Sequence, residues 1–148
     1  MWLPVSIGYW WAGGRWVNEL AGALVIVFLV HSAATIQNDI FDFEVDKANH
    51  RQNALQAGWL TRQAAYWLVL IALAAAIGIA TVLPQAKLHL TFIALWGVLA
   101  WLYNSPPLSL VRRPVLSIAV LGLFYSALPV AYGLLLGNAG WSTSLPLV

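Results

Sequence analysis

The sequence predicts an all-α fold: a multi-pass transmembrane helix bundle with about four full spans plus a partial N-terminal helix. Three observations predict it. Only seven basic and five acidic side chains occur in 148 residues, so 8% of the chain is charged against 61% apolar. Mean hydropathy is +0.79, whereas soluble domains carry about 25% charged and about 45–50% apolar residues. Four stretches also approach the roughly 20 apolar residues that cross a bilayer as a helix. This composition excludes an ordinary soluble domain, a disordered segment and a nucleic-acid-binding protein.

Residues 2–12 open the chain as an apolar run of eleven. At about 1.5 Å per residue, such a helix falls well short of the roughly 30 Å hydrocarbon core. It reads either as the second half of a longer helix or as a short interfacial segment. The first span is expected over residues 20–36, running on into a cluster of acids. The second covers residues 64–83 and stops at Pro84, which cannot continue a helix. The third covers 88–103 and stops before Pro106-Pro107. The fourth covers 114–136 and stops at Gly137-Asn138, with Pro129 inside it predicting a kink. Short connections make neighbouring spans antiparallel. No secretory signal peptide is read. The whole chain, 1–148, is expected to be a single membrane domain.

Basic residues orient the bundle. Lys47, Arg51, Arg62, Arg112 and Arg113 lie in the connections on one side, and Arg15 and Lys87 on the other. Positive charge is retained in the cytoplasm, so the acidic cluster is expected on the cytoplasmic side. Nine Trp and five Tyr suit a chain whose rings gather at the interfaces, and the absence of cysteine excludes thiolate and disulfide chemistry.

Negative charge is confined to one place. Asp39, Asp42, Glu44 and Asp46 hold four of the five acids; the fifth is Glu19, and no acid follows Asp46. On a continuous helix Asp39, Asp42 and Asp46 fall at about 0°, 300° and 340°, with Glu44 at about 140° on the far side. Three aligned carboxylates repel one another unless water or a cation neutralises them. Oxygen ligands favour Mg²⁺ or Ca²⁺, and Mg²⁺ is typically held by one or two carboxylates together with substrate phosphates. The pattern therefore points to a Mg²⁺-diphosphate site at the end of a membrane span, the competing reading being a solvated helix end. His31 lies seven residues before Asn38 on the same face, as a cavity residue or a packing residue. Tyr125 and Tyr132, also seven apart, are expected on one helix face, and His89 shows no partner in the sequence.

Asn38, Asp39, Asp42 and Asp46 match NDxxDxxxD, the first aspartate-rich motif of the UbiA-type intramembrane prenyltransferases. Asn49, Gly58 and Thr61 continue the pattern, and Tyr103-Asn104-Ser105-Pro106-Pro107-Leu108 resembles the tyrosine and paired prolines after the family's fourth helix. The chain thus resembles the first half of that family's domain. Asn53-Ala54-Leu55 stands where the family commonly has Arg-Pro-Leu, with Arg51 two positions earlier. Ser109 and Val111 stand where basic residues usually follow the prolines, with Arg112 and Arg113 just beyond. The family's second aspartate-rich motif has no counterpart here.

The resemblance implies transfer of a prenyl chain from a polyprenyl diphosphate to an acceptor within the membrane, with Mg²⁺ as cofactor. It assigns Asp39, Asp42 and Asp46 as catalytic residues and metal ligands. Asn38, Lys47, Arg51 and Tyr103 would bind substrate. The implied partners are the diphosphate, an acceptor the sequence does not identify, the lipid bilayer and a second chain that could supply the missing half. The alternative reading is a non-catalytic membrane subunit that pairs with such a chain. A cation channel lacks a second intramembrane acid to complete a pathway, and the glycine and Ala-Arg that mark phosphatidyl transferases do not follow these aspartates.

Overall fold

A computed structural model describes residues 2–15, 17–105, 110 and 113–142, with side chains described up to residue 138. Every regular element among them is helical. α1 covers Trp2–Trp11, α2 Val17–Phe41, α3 Phe43–Ala48, α4 Arg62–Val82 and α5 Ala86–Asn104. The last span runs through α6 (Pro114–Gly122), a π-helical turn (Leu123–Ala127) and α7 (Leu128–Ser142). Four stretches are long and apolar enough to cross a membrane: Val17–Phe41, Arg62–Val82, Ala86–Asn104 and Pro114–Asn138. They coincide with the four expected spans, and the first extends past the expected 36 to Phe41.

The apolar exterior identifies the solvent for which the bundle is built. On α4, Trp67, Leu70, Ile71 and Val82 are exposed, as are Val115 and Ile118 on α6. In water these residues would form one large sticky surface; in lipid they cost nothing, and backbone groups are satisfied inside each helix.

With lipid on the outside, the helices associate through close packing of small residues. Ala23 of α2 and Ala76 and Ala80 of α4 are fully buried, and α2 and α4 pack along their lengths. α1 packs mainly on α7. There Gly8 faces the Val130 carbonyl, Gly133 the Val5 carbonyl and Gly137 the Tyr9 carbonyl, so closely that a Cβ at any of the three would collide with backbone. Gly133 and Gly137 form a GxxxG pair that lets the two backbones touch. The short α1 is therefore a structural partner of the last span.

The π-helical turn has a local cause. Pro129 has no N–H, and its ring crowds the carbonyl four residues back. The Leu128 N–H bonds to the Leu123 carbonyl, five residues back, instead of four. The expected kink is thus a π-bulge, and the wider turn changes the phase of everything after it. Tyr125 and Tyr132 accordingly part company. Tyr132 is buried and stacks on Phe92 with centroids 4.0 Å apart, while Phe124 takes the core side beside Trp96 at 4.2 Å. Tyr125 stays half-exposed.

Candidate functional site

The acidic segment sits where α2 gives way to α3. The helix is interrupted at Asp42, whose backbone (φ −88°, ψ 5°) lies in the bridge region between helix and strand. Hydrogen bonding continues across the break: Asp42 N–H donates to the Asn38 carbonyl at 2.9 Å and Asp46 N–H to the Asp42 carbonyl at 2.7 Å. The single uninterrupted stripe expected from the sequence is therefore divided by this break. Asp39 remains on α2, Asp42 is the junction and Asp46 belongs to α3.

The segment after α3 folds back over this junction. His50 has φ 54° and Gly58 φ 74°, two left-handed positions that turn the chain. Leu55 buries its side chain with Ile40 and Ala65, so the segment is pinned to both α2 and α4. Thr61 then caps α4, its hydroxyl accepting from the Ala64 N–H at 3.1 Å. Gly58 and Thr61, singled out by spacing, thus have concrete backbone roles.

This folded-back segment supplies partners for Asp46, which is 4% exposed. Asn53 Nδ2 donates to Asp46 Oδ2 at 3.0 Å, and the Arg51 guanidinium lies 3.7 Å from Asp46 Oδ1. Asn53 Oδ1 in turn accepts from the Gln56 N–H, and Gln56 Nε2 donates to the Phe43 carbonyl. A buried carboxylate without such partners would be costly. Asn53, standing in place of the family's usual arginine, here fastens the segment to Asp46. Glu44 points away, as its helical angle predicts, and binds Arg62 at 2.7 Å outside the site. Arg62 also lies 3.9 Å over the Phe43 ring.

Beside the acids lies a cavity of about 270 Å³ between α2, α5 and the last span. Asn38, Asp39 and Arg51 line one part of it. His31, Ala34 and Thr35 continue down α2, with Tyr103 and Asn104 from α5 and Phe124 and Tyr125 from the π-helical turn opposite. The Tyr103 hydroxyl lies 3.1 Å from Ser117 Oγ, which ties α5 to α6 at the cavity wall. Of the buried polar atoms without a hydrogen-bond partner among the described residues, His31 Nδ1 and Asn104 Oδ1 belong to this lining; the others are Glu19 Oε2, Trp96 Nε1 and Ser105 Oγ.

Of the residues expected at the site, the cavity gathers Asn38, Asp39, Arg51 and Tyr103. Asp42 and Asp46 do not line it, yet both act electrostatically on Asp39, as does Arg51. Lys47 is exposed on α3, away from the cavity. Pro106, Pro107, Leu108, Ser109, Val111 and Arg112 lie outside the described residues. Asn104 and Tyr125 also line the cavity, a role that the sequence analysis assigns to neither. Asn104 sat in plain view inside the matched Tyr103–Leu108 segment, whereas Tyr125 depends on the π-bulge.

Among the described residues, no group of three or more Asp, Glu or His side chains is gathered to hold a metal by itself. A Mg²⁺ ion needs no such cage when substrate phosphates complete its shell. A carboxylate on the cavity wall, two more acting on it and a neighbouring amide fit that mode of binding. The sequence matches the model of the UbiA prenyltransferase family over residues 1–148. No curated protein and no solved structure matches it.

Proposed function

Because this chain belongs to the UbiA prenyltransferase family, we propose that it binds a polyprenyl diphosphate at its acidic end and transfers the prenyl chain to an acceptor inside the membrane. The observation that carries this reading is the cavity itself. It places Asn38, Asp39 and Arg51 in one space with the rings of Tyr103, Phe124 and Tyr125. A diphosphate needs the first group and a prenyl cation the second.

Asp39, Asp42 and Asp46 would hold Mg²⁺ together with diphosphate oxygens, and the ion would supply charge neutralisation of the leaving group. Asn38 offers an amide N–H₂ to a diphosphate oxygen. Arg51 adds a planar cation suited to phosphate, which Asp46 holds in position until substrate arrives. Lys47, exposed beside the acidic segment, adds long-range attraction for the polyanion. The rings of Phe124, Tyr125 and Tyr103 keep water from the allylic carbon and face developing positive charge with their π clouds. The excess of basic residues in the connections at this end supports a cytoplasmic mouth.

The test is binding of geranylgeranyl diphosphate to the purified protein in lipid nanodiscs, with and without Mg²⁺. Binding should depend on Mg²⁺ and weaken on the order of 100-fold in Asp39→Asn. Equal affinity in the presence of EDTA, or in Asp39→Asn, would sink the metal-diphosphate site. Binding that emerges only when a second chain with an Asp-rich helix is supplied would identify this protein as half of a two-chain site.

A further inference from the structure

The diphosphate reading counts Asp46 among the metal ligands, yet its carboxylate is directed elsewhere. Asp46 is 4% exposed and is not among the residues that line the cavity. Both of its carboxylate oxygens are met by the segment that follows α3. Asn53 Nδ2 donates to Oδ2 at 3.0 Å, and the Arg51 guanidinium stands 3.7 Å from Oδ1. The two contacts differ in kind. The Arg51 pair is long and its side chain is 64% exposed, so it holds weakly and yields readily. The Asn53 contact is a hydrogen bond to a buried charge, the kind that holds most strongly.

Asn53 is itself held from behind, so it does not follow Asp46 if the carboxylate moves. Its Oδ1 accepts from the Gln56 N–H at 2.9 Å, which also fixes Nδ2 as the end that faces Asp46. Its backbone carbonyl accepts from the Ala57 N–H at 2.9 Å, and Gln56 Nε2 ties the turn to the Phe43 carbonyl. Leu55, two residues on, is buried with Ile40 and Ala65. On the other side of Asp46 stands Asp39, and the charge of Asp46 acts on it across the break at Asp42. A cation beside Asp39 would draw Asp46 toward the cavity, since carboxylates that repel one another are reconciled by a shared positive ion. The pull of such an ion and the pull of Asn53 therefore oppose each other.

We propose that Asn53 is a brake on metal binding: it holds the Asp46 carboxylate under the folded-back segment, and a divalent cation with diphosphate must break that hydrogen bond to recruit Asp46. This rests on the metal-diphosphate reading and adds a regulation of that same site. Asn53 touches neither ion nor substrate; it is a positioning residue that acts through Asp46. Release of Asp46 also takes from Arg51 its carboxylate partner, and leaves the guanidinium, already on the cavity wall, to the phosphate. The ion and the diphosphate thus each gain a partner from one broken contact.

The experiment uses Mn²⁺, an oxygen-seeking ion that electron spin resonance detects, with inorganic pyrophosphate, on the purified protein in lipid nanodiscs. A residue that only supports the fold would lose stability and affinity together when it is removed. Asn53→Ala is instead expected to lower the unfolding midpoint and yet to bind Mn²⁺ with pyrophosphate about fivefold more tightly. In an Asp46→Asn background the same substitution should change Mn²⁺ affinity by less than about twofold, because the group it releases no longer carries charge. In the unaltered protein, Mn²⁺ with pyrophosphate should speed hydrogen exchange at the backbone amides of residues 53–57, which tests the release even if a variant fails to fold. If the unaltered protein binds Mn²⁺ with pyrophosphate and Asn53→Ala binds it equally or more weakly, the brake is overturned and the diphosphate reading stands. A gain that persists in the Asp46→Asn background, or exchange that is unchanged or slowed, also overturns the brake. If neither protein binds Mn²⁺ with pyrophosphate, the metal-diphosphate reading falls and the brake falls with it.

Discussion

Two histidines sit on apolar helices of this bundle, and their surroundings differ in one decisive respect. His89, near the start of α5, is 1% exposed and has both ring nitrogens engaged. Nε2–H donates to the Pro84 carbonyl at 2.9 Å, because a carbonyl only accepts, and Nδ1 of the neutral ring takes the Tyr132 hydroxyl proton. His31, on α2, has the same kind of aromatic neighbours and an unpaired Nδ1 beside a cavity. The first closes the end of the bundle remote from the acids by joining α5, the α4–α5 connection and α7. The second lies on the wall of the cavity that Asn38, Asp39 and Arg51 also line. His89 is buried and His31 only partly so, and the two differ further in whether their hydrogen-bonding capacity is used up.

Three substitutions would break or sharpen that contrast. The largest effect is expected from Tyr132→Phe at the closed end. It strands His89 Nδ1 in the core at a cost of about 1–3 kcal/mol, read as a lower unfolding midpoint in detergent, with geranylgeranyl diphosphate binding unchanged. A loss of binding equal to the loss of stability would show that the two ends are not separate. At the open end, Arg51→Ala should do the reverse. Its side chain is 64% exposed and its ion pair with Asp46 is long, so stability should move by no more than about 0.5 kcal/mol. Diphosphate affinity should fall about tenfold, roughly 1.4 kcal/mol, in a titration. The smallest change belongs to Arg62→Ala. Its pair with Glu44 is exposed and outside the cavity, and a stability change of about 0.2–1 kcal/mol with unaltered binding is expected.

The same contrast marks how far the sequence could be read. Spans, their order and the acidic cluster follow from composition and periodicity, which are local properties, and the structure reproduces them to within a few residues. Asn38, Asp39, Arg51 and Tyr103 meet at one cavity because the motif and the tyrosine both stand at helix ends that antiparallel packing brings to the same level. What escaped the sequence depends on backbone detail or on distant partners. The break at Asp42 divides a stripe that ideal helix angles drew as continuous. The π-bulge before Pro129 sends Tyr132 to the core and Tyr125 to the cavity, although seven-residue spacing had put them together. The link from Asp46 to Asn53, and that from His89 to Tyr132, join residues whose pairing no periodicity announces.

The clasp between α1 and α7 has a consequence for how the protein is made. Gly8 and Gly133 touch each other's helices through backbone, yet they leave the ribosome more than a hundred residues apart. At roughly 5–20 residues per second, α1 waits several seconds in the nascent chain before its binding partner exists. During that interval the Gly8 face of α1 lacks the helix it packs on. The contact between α1 and α7 therefore forms late in synthesis, after the helices that separate them in sequence have been made.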